Sequence, residues 1–146
     1  MIILDSTVLI DILRDRSGTS RRALEARLDD ETLAITRMTQ FEIMRGCRDQ
    51  RQWDRLARYL AAQHVVEAGT ATWEHAARIY FDLKKKGRLV RSGIDCVIAQ
   101  IAIEHERMLL HNDADFDLIA TVRPLKHERI DVKAAQPAAA AKRKAP

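Results

Sequence analysis

The chain switches repeatedly between two hydrophobic patterns, and that switching constrains its fold more than any other feature. Residues 1–4, 33–36, 64–67 and 108–111 are short strand-like runs, of which Met1-Ile2-Ile3-Leu4 and Met108-Leu109-Leu110-His111 are the most apolar. Between them apolar residues recur at three and four positions, the period of an α-helix. Strands that alternate with helices build βαβ units, so the expected class is α/β, a parallel sheet flanked by helices on both faces. No internal repeat and no glycine-rich phosphate loop interrupts this plan.

The same pattern places the elements. A short helix over residues 8–13 buries Val8, Leu9 and Ile12, and a second carries Ala23, Leu24, Ala26 and Leu28. A helix from about Thr39 carries Glu42, and Trp53, Leu56, Ala57 and Leu60 mark an amphipathic one. Thr70 or Thr72 is placed to cap a long helix with Trp73, Ala76, Ala77, Tyr80 and Leu83 on its buried stripe, stopped by three lysines and Gly87. Ser92 caps the helix of Asp95, a short helix starts at Phe116 behind an Asp115 cap, and a last strand falls within residues 122–128.

A length of 146 residues with 47% hydrophobic content suits a single core. No apolar stretch reaches the roughly 18–20 residues that span a bilayer, and the chain starts on strand-like residues, so cytoplasmic residence without a membrane is the expectation. Cys47 and Cys96 sit in helical apolar patterns without C-x-x-C spacing and read as small buried hydrophobes. The net charge of +4 resides in residues 133–146, where Lys133, Lys142, Arg143 and Lys144 face no acid. Residues 1–132 hold the other 21 basic and all 21 acidic side chains, so the expected folded domain has no overall attraction for polyanions. The Ala- and Lys-rich tail lacks large apolar residues and is expected to be disordered.

Four acids stand where an apolar run ends or turns inward: Asp5, Glu42, Asp95 and Asp113. Each has an ordinary explanation. Asp5 and Asp95 are placed to stabilise helix starts, Asp95 three residues after Ser92 as in a capping box. Glu42 lies at the margin of an apolar stripe, and Asp113 lies in a polar loop beside Asp115, a further candidate ligand. Their coincidence is less ordinary. Strand ends at Asp5 and Asp113 can lie side by side at the carboxyl edge of a parallel sheet, with Glu42 and Asp95 on adjoining helices. Four carboxylates together repel one another, and divalent cations neutralise them. An oxygen-only donor set favours Mg²⁺, with Mn²⁺ as a substitute, over zinc.

Asp5-Ser6-Thr7-Val8-Leu9-Ile10, Thr39-Gln40-Phe41-Glu42 with Gly46, Ile94-Asp95-Cys96-Val97-Ile98-Ala99 and Leu109-Leu110-His111-Asn112-Asp113-Ala114-Asp115-Phe116 resemble, in order, the blocks of the PIN-domain family, nearest to its VapC toxins. The likeness covers about residues 1–130. It implies a Mg²⁺-dependent endoribonuclease centred on Asp5, Glu42, Asp95 and Asp113, neutralised by a cognate VapB-like antitoxin. One departure is His111, where many relatives place Thr or Ser; it is read as making a structural hydrogen bond at the strand end, or else as orienting a water or a phosphate.

Without a Ser, His and Asp in a triad context, and with no base beside either Cys, water attack on phosphorus is the expected chemistry for an RNA substrate. Lys84, Lys85, Lys86, Arg88 and Arg91, with Arg45 and Arg48, are candidate phosphate contacts, and equally a helix stop signal and a solvated face. Apolar residues in the Trp53 helix, with Trp73, Tyr80 and Phe81, together with the resemblance point to a homodimer and an antitoxin groove. Two other readings compete. An aspartyl-phosphate phosphatase needs a second acid where Thr7 stands, and a non-catalytic PIN-like module that binds RNA or protein needs an incomplete acid set.

Overall fold

In the computed structural model, which describes residues 1–133, the apolar runs become five strands: β1 (Ile2–Leu4), β2 (Leu33–Thr36), β3 (His64–Val66), β4 (Met108–His111) and β5 (His127–Arg129). Seven helices connect them among the described residues: α1 (Ser6–Arg14), α2 (Thr19–Arg27), α3 (Arg37–Arg45), α4 (Gln50–Ala61), α5 (Thr72–Lys85), α6 (Gly93–Glu104) and α7 (Ala114–Ala120). The sheet order is β3-β2-β1-β4-β5, and every adjacent pair is parallel. Ile3 pairs with Leu109 and Leu4 with Leu110, which locks the two most apolar strands together at the centre.

Alternation along these strands divides the core. Ile3, Ala34 and Leu109 face α5, α6 and α7, where they pack with Ile79, Leu83, Ile98 and Phe116. Leu4 and Leu110 point to the opposite face, against Val8, Ile12 and Leu24, while Ile35 meets Leu9, Ile43 and Leu60. Leu109 and Ile79 are fully enclosed, so truncating either to Ala would cost about 2–5 kcal/mol. Both sheet faces are thus covered, as parallel strands require.

Several helix details differ from the sequence expectation. The buried stripe of α5 is Thr72, Ala76, Ile79 and Leu83, whereas Trp73 is 51% exposed and Ala77 and Tyr80 also face outward. Neither threonine caps α5. Ala71 holds the cap position, and the Thr72 hydroxyl accepts from Gly69 N and donates to Glu104. Trp53 is likewise exposed, so α4 buries only Leu60 fully. Helix α3 starts two residues earlier than the pattern implied, because Thr36 caps it through the Thr39 amide. The stop signal at Gly87 holds: its φ of 69° lets Arg88 N reach Leu83 O at 2.9 Å.

Cys96 is buried in α6, but Cys47 lies half-buried just beyond α3 and outside any helix; both are free thiols. No helix among the described residues is long and apolar enough to cross a membrane. Val132 is buried and Lys133 pairs with Asp11 of α1, so the folded domain continues to the last described residue. The expectation of a disordered tail falls, from residue 134 onward, outside the described residues.

Candidate metal centre

Chain direction across the sheet reverses between β1 and β4, since β2 and β3 extend to one side of β1 and β4 and β5 to the other. The carboxyl ends of β1 and β4 therefore open on the crevice where α/β sheets bind ligands. Asp5 leaves β1 at that edge, and its amide bonds Leu110 O at 2.9 Å. Its Oδ2 accepts from the Thr7 amide at 3.1 Å and the Thr7 hydroxyl at 2.6 Å, which caps α1. The same hydroxyl accepts from Asn112 N at 3.0 Å and so ties α1 to the loop after β4. Asp5 is 1% exposed, and its Oδ1 has no partner among the described residues.

Glu42 comes from α3, half-buried, with Ser6 Oγ donating to its Oε2. Asp95 sits in the first turn of α6, 7% exposed. Burial first, then the charges of Asp5, Asp113, Glu42 and Asp115, push the Asp95 carboxyl up to about 8. Burial also raises Asp5 above the usual carboxylate range, against the lowering pull of the Thr7 bonds. Asp95 thus lies within electrostatic reach of the other three acids chosen from the sequence. Ser92 caps α6 through Ile94 N at 3.2 Å, while the Asp95 side chain returns no bond to Ser92 among the described residues. Asp95 is therefore no partner in a capping box.

The loop after β4 corrects one assignment. Asp113, not Asp115, caps α7, which begins at Ala114; its Oδ1 accepts from Asp115 N at 2.9 Å. The helix starts two residues earlier than Phe116 because that acceptor satisfies the first turn. Asp115 is 5% exposed and accepts from the Arg91 amide at 2.8 Å, and the Arg91 guanidinium pairs with Asp113 at 2.9 Å. Carboxylate oxygens of Asp95, Asp113 and Asp115 lie within 4.8 Å of one another. An oxygen-rich donor set, a buried carboxylate raised to about 8 and the orphaned Asp5 Oδ1 all fit a hard divalent cation.

His111, Asp117 and His127 form a second close group. The Asp113 amide donates to His111 Nδ1 at 3.2 Å, so that nitrogen is unprotonated and the ring proton sits on Nε2, aimed at His127 Nδ1 2.9 Å away. Burial holds His111 neutral, down to about 4. Its Nε2 has no lone pair for a cation, and the histidine serves as a fully enclosed link between β4, β5 and the Asp113 turn.

A parallel sheet in this order, with acids converging on its switch point, defines a carboxylate-centred PIN-type domain. The chain belongs to the PIN-domain family, which it matches over residues 2–122. It is 30% identical over 131 residues to Ribonuclease VapC11 of Mycobacterium tuberculosis, covering 86% of this chain and 96% of that one. To Ribonuclease VapC51 of the same organism it is 32% identical over 120 residues, covering 82% and 85%. Among solved structures, VapBC-1 from nontypeable Haemophilus influenzae superposes with a TM-score of 0.70 at 21% identity, covering 88% of this chain and 98% of the other. VapBC2 from Rickettsia felis, bound to a DNA fragment from its promoter, gives 0.69 at 20% identity, with 90% and 100% covered.

Sequence reasoning passed over Ser6 and Thr7 as positioning residues, although hydroxyls directly after a strand-end acid are placed to hold it. It also passed over Asp117 and His127, whose roles arise from the pairing of β4 with β5. Of the basic candidates, only Arg91 meets the acid centre. Arg88 donates to Thr121, and Lys85 lies 4.8 Å over the Phe81 ring.

Proposed function

We propose that the chain is a Mg²⁺-dependent endoribonuclease, Mn²⁺ substituting, that acts in the cytoplasm as the toxin of a toxin–antitoxin pair and is neutralised by a VapB-like antitoxin. The observation that carries this reading is the buried acid set at the switch point, with Asp5 Oδ1 lacking a partner among the described residues. The named ribonucleases, similar over most of their length, supply the reaction class, and the VapBC assemblies supply the partner.

Asp5, Glu42, Asp95, Asp113 and Asp115 would hold the cation. Bound there, a divalent cation supplies Lewis acidity at the phosphate and a water of lowered pKa for attack on phosphorus. The remaining work falls to the chain itself. Thr7 fixes the Asp5 carboxylate, Ser6 fixes Glu42, and the Asp113 turn is held by His111 from behind. Asp95 must release its proton before it can ligate. Arg91, 77% exposed at the rim, is placed to meet a phosphate. A homodimer completes the reading, and the exposed Trp73, Tyr80 and Phe81 on α5 supply an apolar face for it.

The test is cleavage of a mixed RNA pool by pure protein with Mg²⁺, Mn²⁺ or EDTA, beside the Asp95→Asn variant. Cleavage that needs the metal and is lost in Asp95→Asn is expected; full activity in EDTA or in the variant overturns the assignment. Light scattering that finds only monomer at high micromolar concentration overturns the dimer.

A further inference from the structure

The strongest unassigned feature is an open groove of about 1290 Å³ between α1, α3 and α4, which runs up to Glu42. This volume exceeds the roughly 300–1,000 Å³ of small-molecule pockets and is on the scale of a polymer. Its floor is apolar, with Ile10, Leu13, Leu56 and Tyr59. Its rims carry six exposed arginines: Arg14 and Arg16 from the end of α1, and Arg48, Arg51, Arg55 and Arg58 on or just before α4.

None of these six side chains makes an ion pair or hydrogen bond among the described residues. Several arginines elsewhere are neutralised: Arg27, Arg37, Arg78 and Arg129 each pair with a carboxylate. The groove lining sets two acids, Glu42 at its end and Asp49, which caps α4 through Gln52 N at 2.7 Å, against these six arginines, so the excess charge is positive. Residues 1–132 sum to zero charge, so this concentration of guanidinium is a local segregation. Arg51, Arg55 and Arg58 repeat along one helix face at steps of four and three residues, about 6 and 4.5 Å of rise, comparable with the spacing of successive phosphates on a strand.

We propose that this groove is the RNA track: single-stranded RNA flanking the scissile phosphodiester lies along it, with phosphates on the two arginine rims and bases against the apolar floor. The inference rests on the nuclease reading and adds to it the path of the substrate. An acid centre repels a polyanion, and a cationic groove that ends at one of the four acids offsets that repulsion where the strand must approach. Six arginines against two acids along the lining match a polyanion, and the groove's end at Glu42 matches a strand whose scissile phosphate must enter the acid centre.

The test measures anisotropy of a fluorescent single-stranded RNA of about twelve nucleotides against the full chain in EDTA, across a salt series. The variant Arg51→Gln/Arg55→Gln/Arg58→Gln is compared with Arg27→Gln/Arg37→Gln/Arg78→Gln, which removes the same charge outside the groove; Arg14→Gln/Arg16→Gln tests the opposite rim. Expected are at least tenfold weaker binding for the α4 triple variant, a log–log salt slope shallower by about 2, weakening by Arg14→Gln/Arg16→Gln, and affinity within twofold of wild type for the control. Equal losses in groove and control variants would reduce the effect to net charge and overturn the track. Wild-type RNA affinity in the groove variants, with or without loss of binding to an acidic partner peptide, overturns it while cleavage leaves the nuclease reading intact. Groove-dependent RNA binding by a protein that cleaves nothing in Mg²⁺ or Mn²⁺ fails the nuclease reading and keeps the track.

Discussion

Arg91 holds Asp115 through its backbone amide at 2.8 Å, and its guanidinium, largely in solvent, reaches Asp113 at 2.9 Å. The side chain therefore acts as a tethered cation at the mouth of the acid cluster, and its hydrogen bond to Asp113, then the charges of Asp113 and Asp115, raise its own pKa further. A divalent cation entering the cluster competes with it. Arg91→Gln keeps the amide bond but removes the charge, so Mn²⁺ is expected to bind about two- to fivefold more tightly, the scale of an exposed ion pair. Calorimetric titration checks this, and weaker Mn²⁺ binding in the variant contradicts it.

The raised carboxyl of Asp95 makes metal-free stability depend on pH. Between its ordinary 3.8 and about 8 the folded protein retains a proton that the unfolded chain has released, so stability falls as pH rises through that window. His111 works the other way, since its lowered value of about 4 means that stability is lost as pH falls from 6.5 toward 4. Above pH 6.5 the acid trend stands alone. The thermal midpoint in EDTA is expected to drop from pH 6.5 to 8.5, and Asp95→Asn to flatten most of that slope. A flat wild-type profile would sink the argument.

Two neighbouring acids should separate by stability. Asp113→Ala removes the α7 cap and is expected to cost about 1 kcal/mol, whereas Asp113→Asn retains an acceptor for Asp115 N and costs less. Asp115→Asn keeps an acceptor for the Arg91 amide but removes a buried charge beside Asp95, so Mn²⁺ affinity should fall about tenfold or more without a loss of thermal midpoint. Chemical denaturation and metal titration of the three variants check this. A larger stability loss in Asp115→Asn than in Asp113→Ala reverses the roles.

How far the sequence reveals this molecule follows from what periodicity encodes. Apolar runs mark β1 and β4, but only pairing reveals that both end at one switch point. In α5 two apolar stripes lie one residue apart, and spacing alone cannot tell that Ala76, Ile79 and Leu83 face the sheet while Trp73 and Tyr80 face out. The cap at Asp113 was hidden because Ala114 carries no apolar signal of a helix start. The acids were legible individually at element ends, and their convergence follows once strand order is known. The arginine groove was not legible, since Arg14 and Arg58 belong to helices that meet only in the fold.

Asp5 uses its two oxygens differently. Oδ2 caps α1 and accepts from both Thr7 donors, while Oδ1 is buried without a partner among the described residues. In Asp5→Asn the amide oxygen can keep the cap while the amide nitrogen takes the Oδ1 position and removes the buried charge. Since burial raises the Asp5 carboxyl, the folded metal-free state carries a penalty that grows as the acid ionises, and the amide relieves it. Asp5→Asn is expected to keep or raise the metal-free thermal midpoint at pH 8 and to abolish both Mn²⁺-induced stabilisation and cleavage. Asp5→Ala loses the cap as well and should lie about 1 kcal/mol below Asp5→Asn. Mn²⁺-induced stabilisation that survives undiminished in Asp5→Asn would place the cation elsewhere.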